Sequence, residues 1–381
     1  MSVVLTLNAG SSSIKFALYG LEGLKEELRG QVERIGGAAR LEVLAQGRKS
    51  RTDIDAQDHD AAVRAILAAI APVLSGRVVA GVGHRVVHGG PDFADPVRVD
   101  TQKLAAIEAL EPLAPLHQPH NAAGLRAAMR AFPEAPQVAC FDTGFHRAHP
   151  WVHDTYALPE RFYAQGVRRY GFHGLSYAFI EGKLAQEYPA LHKGRVVVLH
   201  LGNGTSACGL RGGRPIATTM GFSPLDGLAM GTRPGQIDPG VLLYLMNHEG
   251  MDAARIERLL YYESGLLGMS GETNDMRELL ASGAPAAQGA VAYFCARIVR
   301  EIGALAASLG GIDGIVFTGG IGENSAAIRA RVLSELEWLG FEVDHAANAA
   351  GAGIISQGMR PALVIATDEE RVIASAVAGF I

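Results

Sequence analysis

Apolar residues along this chain fall into two rhythms. Short β-branched runs read as buried strands: Val3–Leu7, Ile14–Tyr19, Val78–Val82, Gln137–Phe141, Arg195–Leu201 and Gly314–Thr318. Elsewhere apolar positions recur every three to four residues, as on one face of a helix. Val63, Ile66, Leu67, Ile70 and Leu74 predict a helix over 60–75. Val291, Phe294, Cys295, Ile298, Val299, Ile302 and Leu305 predict a long one over Pro285–Leu309. Shorter helices are expected at Asn121–Ala131 and Ala326–Leu336, and the proline-rich stretch Glu111–Pro119 reads as irregular. Strands alternating with helices predict an α/β fold.

The grammar repeats. Leu7-Asn8-Ala9-Gly10-Ser11-Ser12-Ser13 and Leu201-Gly202-Asn203-Gly204-Thr205-Ser206-Ala207 both read as strand, glycine turn, then hydroxyls, 194 residues apart (201 − 7). The helix–strand–glycine stretches 60–90 and 285–322 correspond as well. The expectation is a duplication: two similar α/β domains facing one cleft.

Composition narrows the class. At 381 residues the chain is long enough for two or three domains. With 48% hydrophobic and 19% charged residues it is globular rather than disordered. A net charge of −5 gives no electrostatic footprint for nucleic acid. Cys140, Cys208 and Cys295 lie far apart without a CxxC pair, as expected of reduced, buried thiols. The start, MSVVLTLNAGSSS, lacks the basic, then long apolar pattern of a secretory leader, and no run of about 18 apolar residues occurs. A cytoplasmic protein without a membrane span is expected.

The candidate chemistry is phosphate handling. Asn8 to Ser13 offers an amide, three hydroxyls and nearby Lys15 on a turn whose glycine admits close backbone approach. Gly202-Asn203-Gly204 repeats the device. Gly319-Gly320-Ile321-Gly322 joins a strand to a helix, where N–H groups and the helix dipole favour an anion. A Walker A loop is absent, because Tyr177 stands where Gly182-Lys183 would need an upstream glycine. Gly202 to Ala207 fits a dinucleotide fingerprint, but strand-like residues follow where a helix is required, which argues against a dehydrogenase. Arg85 and Arg233 sit among glycines, and guanidinium forks match carboxylate and phosphate. The histidines of 146–153 are interrupted by Pro150 and Trp151, against a zinc spacing. Asp142 follows a strand, a common place for site residues.

Seven stretches together resemble the acetate kinase (acetokinase) family over nearly the whole chain. They are Leu7 to Lys15, Gly83 to Gly90, Phe141-Asp142-Thr143, Tyr170 to Gly174, His200 to Gly204, Gly231-Thr232-Arg233 and Gly320 to Asn324. The resemblance implies two duplicated ribonuclease-H-like (actin-like ATPase) domains around a central cleft, over 1–143 plus 369–381 and over 144–368. It implies reversible transfer of the γ-phosphoryl group of ATP to acetate, giving acetyl phosphate and ADP, with Mg²⁺ (or Mn²⁺), in a homodimer that binds neither nucleic acid nor membrane. Carried over by position, Asn8 and Glu369 match the metal residues, and Arg85 the acetate-binding arginine. Asp142 matches the catalytic acid/base, and His173 and Arg233 the transition-state stabilisers. Val87, Leu116, Phe172 and Pro224 match the methyl pocket. Lys15, the run His200, Leu201, Gly202, Asn203, Gly204, the run Asp275, Met276, Arg277, and the run Gly320, Ile321, Gly322, Glu323, Asn324 are expected to contact nucleotide. Gln236, Asp368 and Gln118-Pro119-His120 depart from the commoner family residues. A propionate or other short-chain carboxylate kinase is the nearest alternative, and an actin-like ATPase without acyl chemistry a remote one.

Overall fold

A computed structural model describes residues 2–351 and 353–381. It divides into two compact units, Met1–Arg147 with Asp368–Ile381, and Ala148–Thr367.

The first unit is built on an eight-stranded sheet: β1 (Val3–Ala9), β2 (Ser13–Gly20), β3 (Glu26–Glu33), β4 (Arg40–Ala45), β5 (Arg48–Asp53), β6 (Val79–Val86), β7 (Val97–Arg98) and β8 (Gln137–Phe141). Its order is β5-β4-β3-β2-β1-β6-β8-β7. The second unit carries β9 (Arg195–Leu201), β10 (Thr205–Arg211), β11 (Arg214–Thr218), β12 (Gly314–Thr318), β13 (Gly353–Ile354) and β14 (Ala362–Val364), in the order β11-β10-β9-β12-β14-β13. Both sheets follow one strand pattern. An antiparallel meander (β1-β2-β3; β9-β10-β11) is followed by two strands parallel to its first (β6 and β8; β12 and β14). That shared order is the duplication the repeated turns announce.

Parallel strands covered on both faces read as apolar runs, which is why β8, β9 and β12 occupy the predicted residues. The helix Pro285–Leu309 also holds its predicted span and buries Val291, Phe294, Ile298 and Ile302 against the second sheet. Each such side chain stabilises by about 1.5–3 kcal/mol. Three expectations change. The first hairpin stays paired two residues beyond Leu7, through Asn8↔Lys15 and Ala9↔Ile14, so Asn8 lies in a strand rather than a turn. The proline-rich stretch contains a 3₁₀ turn, Glu111–Leu113, and the next helix begins at Gln118, because Pro119 is tolerated in a first turn that needs no N–H partner. Gly319–Asn324 is itself a short helix, separate from Ala326–Ser334. Among the described residues no helix is long and apolar enough to cross a membrane.

Candidate active site

In the first unit, β1, β6 and β8 run parallel and side by side, and Asn8, Arg85 and Asp142 lie at their C-terminal ends. Asp142 is buried and grips Arg85 as a fork: Nε donates to Oδ1 at 3.0 Å and Nη2 to Oδ2 at 2.6 Å. Arg85 Nη1 reaches Asn8 Oδ1 at 3.4 Å. Gly81 and Gly83 let the helix Glu369–Ala378 settle directly on β6, since a Cβ at either would strike Val377 or Ile373. That close seat brings Glu369 Oε2 to 3.9 Å from Arg85 Nε.

Burial opposes the Arg85 charge, but Asp142 and Glu369 outweigh it and raise its pKa above the ordinary arginine value. Glu369 is pushed up to about 7, first by burial and then by Asp142 and Glu370, against the pull of Arg85 and Lys15. Three carboxylates thus face two cations around a set of oxygen donors. A hard divalent cation fits that set by charge and donor type. Val87 is buried just past β6, and Leu116 is partly buried before the helix Gln118–Ala131. Lys15 stands exposed on β2 beside a cavity of about 350 Å³ that Glu370 also lines.

The second unit gathers the remaining candidates. His173 adopts a left-handed conformation (φ 58°) at the start of the helix Gly174–Glu187, an uncommon state for a non-glycine residue. Its Nδ1 pairs with Ser206 Oγ at 2.8 Å, and Ser206 Oγ meets Tyr177 OH at 2.5 Å. Its ring stacks on His200 with centroids 4.2 Å apart, and His200 Nδ1 pairs with Ser176 Oγ at 2.8 Å. Arg233 Nη1 donates to Pro224 O at 2.9 Å, and burial holds its pKa below the usual arginine value. The two side chains converge on Gly204: a Cβ there would lie 3.1 Å from His173 Nε2 and 3.6 Å from Arg233 Nη2. Phe172, beside His173, is buried.

A cavity of about 800 Å³ opens in the same unit. Of the expected nucleotide contacts, Gly202, Asn203, Asp275, Met276, Arg277, Gly320, Ile321 and Asn324 line it. Lys15, His200, Leu201, Gly204, Gly322 and Glu323 do not, and for the last two and Leu201 the packing says why. Leu201 and Gly322 face each other in the core. Glu323 Oε1 accepts from the backbone N–H of Gly319 at 2.9 Å and of Thr367 at 3.1 Å, tying the loop down. Arg277 forks onto Asp275 and draws its carboxyl down to about 2.

Sequence reasoning passed over several supports. Ser206 and Ser176 orient the two histidines; Ser206 stands out in sequence only as one of the hydroxyls after Gly204, and Ser176, inside a helix, carries no distinctive pattern. Arg329 is fully buried and donates to Gly322 O at 2.9 Å, Glu323 O at 2.8 Å and Asn348 Oδ1 at 2.8 Å. It caps the carbonyl end of the short helix that lines the cavity.

Comparison with known proteins identifies the family. A profile of the acetokinase family matches residues 3–375. An acetate kinase of Methylocella silvestris is 53% identical, over 97% of this chain and 96% of that one. Among solved structures, a propionate kinase from Francisella tularensis superposes with a TM-score of 0.94 at 37% identity, covering 99% of both chains. The Porphyromonas gingivalis acetate kinase gives 0.90 at 38% identity, covering 98% of both. Matched by the family profile over nearly its whole length and by a relative at 53% identity, this chain belongs to the acetokinase family.

Proposed function

We propose that this chain is an acetate kinase, moving the γ-phosphoryl group of ATP directly onto acetate and back. The observation that carries the reading is the convergence of His173 and Arg233 on Gly204, in the unit whose cavity is lined by the glycine turns at 202 and 320. Met276, Ile321 and Leu280 give that cavity apolar walls for a base, and the backbone of Gly202 and Gly320 suits phosphate. Lys15 is a further candidate for phosphate contact.

Phosphoryl transfer asks little covalent chemistry of a protein. It asks for alignment and for positive charge and donors where the moving group becomes most negative. Arg233 and His173 supply these, and Arg85 orients the acceptor carboxylate. Acetate is already ionised near neutrality, since a free carboxylic acid titrates near ~4. It needs no base, and Asp142 instead holds the Arg85 fork in place. Mg²⁺, or Mn²⁺, would be held by Asn8 and Glu369, and when bound it neutralises phosphate charge. For the acetate methyl group, Val87 and Leu116 are the first unit's candidate contacts, and Phe172 and Pro224 the second unit's. The three buried thiols suit a cytoplasmic setting.

The test is ADP release with acetate, propionate and butyrate. Acetate gives the highest kcat/KM, and one added methylene costs about 10–200-fold. Val87→Ala narrows the acetate–propionate gap by about tenfold, because it removes the buried side chain that the extra carbon would meet. Equal rates with all three acids would assign a broader carboxylate kinase. ADP release without any acid would assign an ATPase and sink the reading.

The chain forms a homodimer through the helix Pro239–Asn247. That helix buries no residue, and it leaves Leu243 57% and Tyr244 53% exposed beside Val241 and Met246. Contiguous apolar exposure of this kind marks an interaction face. Light scattering should give twice the chain mass, and Leu243→Asp should halve it. A monomeric parent protein would refute the dimer.

A further inference from the structure

We infer that Asn121 is a positioning residue for phosphoryl transfer, setting the spacing between Asn8 and Arg85; the inference rests on the roles proposed for those two. Asn121 sits in the first turn of the helix Gln118–Ala131 and is 3% exposed. Its side chain does not serve its own helix. Nδ2 donates to Ala9 O at 2.7 Å, and Oδ1 accepts from Val87 N at 2.9 Å.

Those two backbone groups lie where the β1–β6 ladder ends. Its last pair is Leu7↔His84, and Asn8 and Arg85 are the next residues on each strand. Past that pair β1 and β6 share no further rung, although each still pairs with its other neighbour, β2 or β8. The Asn121 amide, donor at one end and acceptor at the other, replaces the missing rung. The tie matters because the two site side chains barely hold each other: Arg85 Nη1 and Asn8 Oδ1 are 3.4 Å apart, at the limit of a hydrogen bond.

The surroundings are shaped for this reach. Gly124, one turn along the same helix, lets it close on β1, for a Cβ there would lie 2.7 Å from Ala9 Cβ. The neighbouring carbonyl is secured in the same manner, with His59 Nε2 2.8 Å from Gly10 O and the His59 ring stacked on His120. The consecutive carbonyls of Ala9, at the end of β1, and Gly10 are therefore tied by side chains from two helices. Val87, the other anchor, belongs to the proposed methyl pocket, so the same amide also fixes the acceptor side.

Asn121→Leu is the decisive variant, because leucine keeps the shape and loses both hydrogen bonds; Asn121→Ala loses shape as well. With intact protein, both variants should raise KM for acetate and the Mg²⁺ concentration for half-maximal rate by about tenfold and lower kcat by about 10–50-fold, as small misplacements do. ADP affinity, a property of the second unit, should stay unchanged. Rescue by Leu but not Ala would mean mere space-filling and overturn the inference. So would parent-like kinetics in Asn121→Leu, or joint loss of acetate and ADP binding, as in a protein that has not folded. Arg85→Ala separates the two layers: if it leaves KM for acetate unchanged, the proposed roles fail; if it impairs acetate use while Asn121→Leu does not, only the positioning role fails.

Discussion

Arg233→Ala should lower kcat by about 100–1000-fold, or ~2.7–4 kcal/mol of transition-state stabilisation, while leaving KM for ATP nearly unchanged. The reason lies in what the side chain lacks. Burial lowers the Arg233 pKa, and among the described residues no carboxylate pairs with it; its hydrogen bond goes to the neutral carbonyl of Pro224. A partly buried, uncompensated cation is costly to keep. Compare Arg85, which has Asp142 and Glu369, or Arg195, which forks onto Asp313. Arg233 is the guanidinium left open to an incoming anion, and its Nη2 faces the Gly204 cradle. Removing it should therefore cost rate without costing stability, and thermal melting should show a Tm equal to or above the parent's. Lysine should restore little, since it brings the charge without the planar fork. Turnover close to the parent's, or a fall in Tm that accounts for the lost activity, would remove Arg233 from the transition state.

The sequence was most readable where burial and backbone chemistry act together. β9 and β12 are sandwiched between layers, so Val196–Leu199 and Ile315–Phe317 are unbroken apolar runs, and both strands stop at glycines. The long helix was readable because 25 residues sample its period many times. The meander β3-β4-β5 was not. β5 is Arg48-Lys49-Ser50-Arg51-Thr52-Asp53, exposed throughout, so no face alternation marks it, and backbone pairing with β4 makes it a strand. The site divides the same way. Residues proposed to meet substrate come with glycines, and the glycines are visible. Residues that hold those in place, such as Asn121, Ser206 and Arg329, look ordinary in one dimension. Their significance comes from carbonyls and rings that only the fold brings within reach.

His173→Ala should lower kcat by about 100–1000-fold with little change in KM for ATP. The ring is held on three sides: Ser206 at Nδ1, the His200 face, and a left-handed backbone that aims it at Gly204. A strained conformation of about 1–3 kcal/mol persists where the surroundings enforce it, and such strain gathers at functional sites. That allows activity and stability to be pulled apart. Asparagine tolerates the left-handed region as histidine does and alanine does not, so His173→Asn should be as slow as His173→Ala but more stable than it. Ser206→Ala keeps the imidazole and loses its anchor, and should fall between, about tenfold down in kcat, the range for a misaligned donor. If His173→Ala instead weakens ATP binding and spares kcat, the imidazole belongs to the nucleotide ground state, and Arg233 must carry the developing charge without it.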